Sequence, residues 1–305
     1  MFFRRTVLLN KAYPCKKDIQ CTTTNRNGVV NCKFCRFQQC IAAGMSFRPS
    51  ILELKETEYA ELTSTIKHLL LLDNRRTVDM KTMFTKEDFT LKQIVEDRKM
   101  RLTKRKTEMS AHDWSFWSIY TCLEFFLGLK GVDLLGSSTK ISLFQEYGVK
   151  GSLLFSAMRA HRAKTDRLIT VDGKDVYPDS ISKMLMFHTD FLNRIRSLLV
   201  ARLIELNITE EEFVLINAIF LCDPGFVPID DPGRNIVISL QNKFTSVLQQ
   251  YCCLTYQRNG GSRVWDLISM SQVISLNFED VQIMTTIFKL YKPDMKFKQL
   301  VKDLI

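Results

Sequence analysis

The feature that most constrains this chain is a group of four cysteines near its N-terminus. They are spaced as Cys15-x5-Cys21-x10-Cys32-x2-Cys35, which gives two pairs of thiols separated by a loop. Zn²⁺ prefers tetrahedral coordination by soft ligands, and a CxxC turn can hold two thiolates on one ion. The spacing therefore predicts one structural zinc site with these four ligands. The alternative is a chance grouping of buried or redox-active cysteines.

Positive charge is concentrated in the same region. Residues 1–50 contain nine Lys and Arg residues but only one acid, Asp18. A short basic module beside a nearly neutral body is typical of a protein that binds a polyanion such as DNA. A solvated basic tail is the alternative. The first residues lack a signal-peptide pattern and the nine cysteines are odd in number, so we expect an intracellular protein without a disulfide framework.

Beyond residue 49 the pattern is helical almost throughout. Apolar residues recur at helical spacing from Ile51 to about Leu72, and the charge-rich stretch 73–110 is interpreted as a hinge with helical pieces. Asp113 is the predicted cap of a helix over 114–130, and Thr209 is predicted to open a helix that stops at Asp223. Further helices are predicted at 140–147, 180–207, 234–257, 262–274, 278–289 and 297–305.

A single hairpin interrupts the helices. Asp172-Gly173 lies between two β-prone runs in 167–177, which predicts a tight turn. The predicted fold class is therefore mainly α, with a four-cysteine zinc module followed by an all-α domain of about ten helices and one small β-hairpin. The predicted domains are a zinc module at 1–49, a hinge at 50–77 and the helical domain at 78–305.

Two motifs around the cysteines resemble the second half of a nuclear receptor DNA-binding domain. Phe2-Phe3-Arg4-Arg5 precedes the cysteines, and the run from Cys35 to Met45 reads CRFQQCIAAGM. The resemblance implies a partial, treble-clef-like module in which the four spaced cysteines bind zinc and Cys40 packs without binding it. It also implies that three arginines contact DNA phosphates, namely Arg4, Arg5 and Arg36.

The sequence departs from the family pattern at its start. In the family a first zinc finger precedes the Phe-Phe-Arg-Arg motif, and its recognition helix carries the base-reading residues, whereas this sequence begins inside that helix. Phosphate contacts position a protein but carry no sequence information. We therefore expect the chain as written to bind DNA in a salt-sensitive manner with little sequence preference. A truncated N-terminus and a form impaired in DNA binding both fit this start.

The rest of the chain, roughly 78–305, is similar to the nuclear receptor ligand-binding domain, a helical sandwich. Its last six residues fit the activation-helix pattern of two apolar residues, any residue, an acid and two apolar residues. The resemblance implies that Asp303 caps one end of a coactivator LxxLL helix. Helical spacing places the four apolar residues on one face and predicts that Lys302 and Asp303 point outward. The alignment places Leu127 where the family has a clamping Lys, with Lys130 one turn further. The activation-helix residues are Leu300, Val301, Asp303, Leu304 and Ile305.

The resemblance implies a zinc-dependent, DNA-binding transcription factor of the nucleus, regulated by ligand and coactivator. Its implied partners are DNA, LxxLL helices, a small lipophilic ligand and a receptor dimer. The alternative is a receptor-like interaction module without sequence-specific DNA binding, which acts through dimerisation or coregulator capture. No residue set supports an enzyme, since the four His lie far apart and no Gly-rich phosphate loop occurs. Arg159 and Arg162 lie where a carboxylate-binding Arg can sit in such receptors, but a solvated face is the favoured interpretation.

Overall fold

A computed structural model gives the fold of the chain. It describes residues 2, 6, 13–15, 21, 32–43, 56–97, 100–181, 188–225, 227–292, 294 and 297–305. Predictions that fall on other residues, among them the phosphate contacts of Arg4 and Arg5, lie outside the described residues.

The described chain is mainly helical, as predicted. One helix, α1 (Lys33–Ala42), belongs to the cysteine region, and ten follow between residues 56 and 305 of the described chain. These are α2 (Glu56–Thr82), α3 (Leu91–Asp97), α4 (Ala111–Leu127), α5 (Ser137–Arg162), α6 (Thr189–Leu206), α7 (Glu210–Leu221), α8 (Asp231–Tyr256), α9 (Gly260–Ile268), α10 (Met270–Tyr291) and α11 (Gln299–Leu304). No described helix is long and apolar enough to cross a membrane.

Helix α5 lies at the centre of the helical domain, where it packs against α3, α4, α6, α7, α10 and α11. Many of its buried residues are small, including Gly148, Gly151, Ser152, Ser156, Ala157 and Ala160. A Cβ added to Gly151 would lie 2.9 Å from Cζ of Phe126 and 3.0 Å from Sγ of Cys122, both on α4. A larger residue at position 151 would therefore require the Phe126 ring and the Cys122 side chain to shift.

The charge-rich stretch 73–110 is predicted to be a hinge with helical pieces, but helix α2 continues without a break to Thr82. The hinge interpretation is therefore wrong for residues 73–82. Asp73 and Arg76 are buried in the helix and form an ion pair of 2.9 Å. Arg162 at the end of α5 donates to the other oxygen of Asp73 at 2.6 Å. The charges therefore fasten α2 to the centre of the domain. The domain boundaries themselves stay a prediction.

Two short antiparallel features occur in the described chain. β1 (Met83–Phe84) pairs with β2 (Thr103–Lys104), a pairing that the sequence pattern did not predict. The predicted hairpin is reduced to one bridge between Ile169 and Asp175, with Gly173 at a φ of 75°. The turn is therefore where the Asp-Gly signal placed it. Beyond the bridge, Arg196, fully buried on α6, binds the carbonyl of Tyr177 at 3.0 Å and the carboxylate of Asp179 at 2.7 Å.

Two predicted helix ends differ from the structure for identifiable reasons. Ser110, rather than Asp113, caps α4, since its hydroxyl accepts from the Asp113 N–H at 3.2 Å. The predicted break between 274 and 278 is absent from α10. Asn277 lies there, fully buried, and its Nδ2 donates to the Ile195 carbonyl of α6 at 2.8 Å.

The start of α7 confirms the predicted opening by Thr209. The Thr209 hydroxyl accepts from the Glu212 N–H, and the Glu212 carboxylate accepts from the Thr209 N–H, which is a capping box. Glu212 is fully buried and also pairs with Arg263 of α9 through two bonds of 2.6 and 2.5 Å. One carboxylate therefore starts α7 and joins it to α9.

We expect Arg263→Ala to lower the free energy of unfolding by about 3–5 kcal/mol, because the buried Glu212 carboxylate loses its cation. Urea unfolding followed by circular dichroism measures the change. The control is Arg75→Ala, which removes an exposed partner of Asp79 and should cost less than about 1 kcal/mol. Equal small losses in both variants would contradict the expectation.

Candidate zinc centre and terminal helix

The start of α1 places two of the four cysteines side by side. The carbonyl of Cys32 accepts from the Arg36 N–H at 2.9 Å, so Cys32 precedes the first turn and Cys35 lies within it. Two residues separate the pair, so one helical turn brings both thiols to the same side. Cys35 is buried, and Cys32 is half-buried.

The remaining two cysteines meet this pair. Sγ of Cys15 lies 3.6 Å from that of Cys35, 3.7 Å from that of Cys21 and 3.9 Å from that of Cys32. All four sulfurs lie within 4.8 Å of one another. A Zn–S bond of about 2.3 Å sets the edges of a tetrahedral site at about 3.8 Å. The cluster fits Zn²⁺, and Cys40 is outside it.

Two of the four thiols, Cys21 and Cys35, resist ionisation in the absence of a cation. Burial, together with hydrogen bonds with the neighbouring thiols, raises the pKa of Cys21 to about 12. Burial also raises the pKa of Cys35. Zinc binding must therefore release protons, and acidification must weaken it.

Aromatic and cationic side chains hold the Cys15 segment against α1. The rings of Phe2 and Tyr13 stack at 6.1 Å between centroids. The Arg36 guanidinium lies 4.5 Å from the centre of the Phe2 ring, and Nζ of Lys33 lies 5.6 Å from that of Tyr13. Both cations of the first turn of α1 are thus positioned by the same contacts that hold the zinc ligands.

The terminal helix α11 docks by its apolar face. Leu300, Val301 and Leu304 are buried against α3, α4 and α5, while Ile305 is half-buried. Lys302 is exposed, as predicted. The expectation that Asp303 points outward is wrong, because its Oδ2 accepts from the Leu91 N–H at the start of α3 at 2.8 Å. The role of these residues as an activation helix stays a prediction.

The position aligned with the family's clamping Lys does not offer a cation to a partner. Leu127 is the last residue of α4 and is buried. Lys130, one turn further, is exposed.

The structure also brings Arg76 and Lys81 beside Arg159 and Arg162, the two arginines that the resemblance places where a carboxylate-binding Arg can sit. A cavity of about 370 Å³ lies between α2, the end of α5 and the turn at 169–173. Nη1 of Arg159 donates to the Ile169 carbonyl, and Nη2 contacts Sδ of Met80, both at 2.8 Å. Arg159 is thus partly buried rather than on a solvated face. The lining includes Arg76, Lys81, Arg159 and Arg162 beside Met80, Ile169 and Val171.

The cavity carries an excess of positive charge. Burial, together with the nearby positive charges of Arg76 and Arg162, lowers the pKa of Arg159 to about 9. Two carboxylates lie beside them in the described chain: Asp73 pairs with both of those arginines, and Glu210 pairs with Arg162. Nη1 of Arg76 is buried and has no hydrogen-bond partner in the part of the chain that the structure describes. The arrangement suits an anion.

Comparison with known proteins matches the cysteine region and the helical domain to two known domain families. Residues 1–47 match the double treble clef zinc finger of C4 type, and residues 96–291 match the ligand-binding domain of nuclear hormone receptor. Caenorhabditis elegans nuclear hormone receptor family member nhr-51 is 30% identical over 99% of this chain and 83% of its own length. Family member nhr-167 of that organism is 30% identical over 99% and 89%. The chain belongs to the nuclear hormone receptor family.

This membership confirms the fold class and the transcription-factor function that the motifs implied. The C4-type zinc finger and the cluster of four cysteines agree on Zn²⁺ as the metal. Members of the family are ligand-regulated transcription factors rather than enzymes.

We expect the receptor to bind one zinc ion through Cys15, Cys21, Cys32 and Cys35. Metal titration with a chromogenic chelator measures the stoichiometry. Cys35→Ser should reduce tight binding to none, because three thiolates remain, whereas Cys40→Ser should leave one ion bound. The affinity should fall as the pH is lowered, since protons compete for the thiolates. Two tightly bound ions, or a loss in the Cys40 variant, would contradict this ligand set.

Proposed function

We propose that this receptor acts in the nucleus, where its zinc module holds it on DNA and its helical domain responds to a ligand and to a partner protein. The observation that carries the proposal is the zinc-compatible cysteine cluster in a basic region, joined in one chain to a nuclear receptor ligand-binding domain. The zinc supplies a fixed frame for α1. The side chains on the surface of α1 then determine which charged groups can contact DNA.

DNA contact through α1 is supported by its charge and by the way that charge is held. Lys33 is exposed, and Arg36 is half-buried with its guanidinium over the Phe2 ring. A cation whose side chain is already ordered loses less conformational entropy when it binds phosphate. We propose phosphate contacts for Arg36 and, from the resemblance, for Arg4 and Arg5.

We expect Arg36→Gln to weaken DNA binding at all sequences and to lower the slope of log K against log salt by about 1, as loss of one phosphate contact does. Fluorescence anisotropy with a labelled duplex at several salt concentrations measures the slope. Lys92→Gln, on the exposed face of α3, is the matched control and should leave it unchanged. Removal of zinc by a chelator should abolish binding. An unchanged slope in the Arg36 variant would remove Arg36 from the DNA contact.

A receptor-like module without sequence-specific DNA binding is the second candidate. Phosphate contacts supply affinity without sequence choice, so the three arginines support both candidates equally. Competition between a receptor half-site duplex and a scrambled duplex separates them. A hundredfold preference for the half-site, about 2.7 kcal/mol, favours specific DNA binding, and equal affinities favour the interaction module.

Partner capture through α11 is supported by its docked position and its acidic residue. The carboxylate of Asp303 has two oxygens, of which Oδ2 is bound to the Leu91 N–H. A partner LxxLL helix would share or displace this bond. Lys130 is the exposed cation nearest in sequence to the aligned clamp position.

We expect Asp303→Ala to weaken binding of an LxxLL peptide and also to lower the free energy of unfolding by about 0.5–2 kcal/mol, because α3 loses a cap. Peptide anisotropy and urea unfolding measure the two effects. Lys302→Gln, an exposed neighbour, should change neither. Undiminished peptide binding in the Asp303 variant would remove this carboxylate from the partner site.

The arginine-lined cavity supports an acidic ligand with an apolar part. An acid group would offset the charge of Arg159, and the apolar part would contact Met80 and Ile169. We expect octanoate, but not octan-1-ol, to bind the receptor in calorimetry. Arg159→Met should weaken octanoate at least about tenfold, since a hydrogen bond to a charged group contributes about 1.5–3 kcal/mol. Arg75→Gln, on the exposed side of α2, is the control, and equal binding of acid and alcohol would exclude the charge-based site.

A further inference from the structure

Two short helices far apart in the sequence exchange carboxylate caps. Thr90 and Gln93 form a local cap for α3, with the Gln93 N–H donating to the Thr90 hydroxyl at 3.2 Å and the Thr90 N–H to the Gln93 side chain at 2.9 Å. The N–H of Leu91 is bound instead by Asp303, 212 residues away. In return, Asp88 accepts from the N–H of Gln299, the first residue of α11, at 2.7 Å.

The exchange is significant because both helices are short. Helix α3 has 7 residues and α11 has 6, whereas isolated helices below about 12–15 residues are marginal in water. Their first N–H groups have no partner within the helix, and a carboxylate there also interacts favourably with the helix dipole. Lys298, which precedes α11, provides no side-chain cap of its own. Each helix is therefore stabilised by a group from the segment of the other.

Further contacts hold the two segments in place. Nζ of Lys298 lies 2.9 Å from Oδ1 of Asp113 and 4.6 Å from the centre of the Phe116 ring on α4. Nζ of Lys289 donates to the Ile305 carbonyl at 3.4 Å. On the other side, the Glu87 carboxylate accepts from the Arg101 N–H at 3.0 Å. The apolar face of α11 and Leu91 of α3 are buried.

We propose that residues 85–97 form a latch segment for the terminal helix, so that α3 and α11 dock and undock as one cooperative unit. Loss of the α11 position removes the Asp303 cap from α3, and loss of α3 removes the surface and the Asp88 cap from α11. The docked position of α11 is thus stabilised by contacts within the chain. A partner that binds the Asp303 carboxylate removes its bond to the Leu91 N–H and so destabilises α3. Only this last regulatory meaning rests on the proposed function.

Hydrogen exchange measured by mass spectrometry on the full chain tests the coupling. Asp303→Ala and Thr90→Ala each remove a bond that caps α3. We expect amides of 91–97 and of 299–304 to exchange roughly fivefold faster in both variants, as loss of a helix cap predicts. For Asp303→Ala the local effect on α11 is opposite, since alanine favours helix, so faster exchange there reports the coupling.

Two matched controls are available. Asp294→Ala removes an exposed carboxylate just before α11, and Thr286→Ala removes an exposed hydroxyl of α10; neither should change exchange in α3 or α11. Unchanged amides of the central α5 show that each variant is folded. If both variants loosen only α3 and leave 299–304 at the wild-type rate, the two helices are capped independently and the latch is overturned.

The coupling is measured without DNA, peptide or ligand, so its failure is separate from that of the proposed function. Addition of the LxxLL peptide to the wild-type receptor then tests the regulatory meaning. Faster exchange of 91–97 on binding supports displacement of Asp303 from α3. Peptide binding with unchanged exchange of 91–97 overturns that displacement.

Discussion

The close packing around α5 is the constraint on which the rest of the receptor depends. Six other helices contact this one helix, and six of its fifteen buried residues are Gly, Ser or Ala. Small side chains contribute little apolar area of their own, but they let neighbours such as Phe126 and Leu304 approach the helix backbone. The positions of α4 and α11 are consequently set by the shape of α5. The terminal helix then depends on this surface for its docking and on the latch segment for its caps.

Features governed by neighbours in sequence could be predicted from the sequence. The capping box of Thr209 and Glu212 depends on residues three apart, and the turn at Asp172-Gly173 depends on one residue that tolerates a positive φ. The Cys32–Cys35 pair belongs to the same class, since CxxC spacing and helical geometry bring these two thiols together before any tertiary packing. In these cases the residues that form the sequence pattern are also the residues whose interactions produce the local structure.

Features governed by distant partners could not be predicted in this way. Asp73 and Arg76 have the composition of an exposed hinge, yet their charges are satisfied by each other and by Arg162 inside the domain. The pattern predicts a break between 274 and 278, but the amide of Asn277 there joins α10 to α6. Local spacing predicts an outward position for Asp303, but its carboxylate accepts from the Leu91 N–H, 212 residues away in the sequence. The arginine-lined cavity is formed by α2, the end of α5 and the turn at 169–173, which are separate in the sequence and share no motif.

Zinc binding by the four cysteines also changes the conformational entropy of the chain. Cys15 and Cys35 are 20 residues apart, so one ion closes a loop that an unliganded chain would have to close at the expense of its own entropy. In this respect the ion is a reversible crosslink, and its strength is set by the concentration of free zinc. While the site is nearly saturated, each tenfold fall in free zinc removes about 1.4 kcal/mol of the stabilisation of this segment. The order of the first turn of α1, and of the cations it carries, is thereby linked to the supply of the metal.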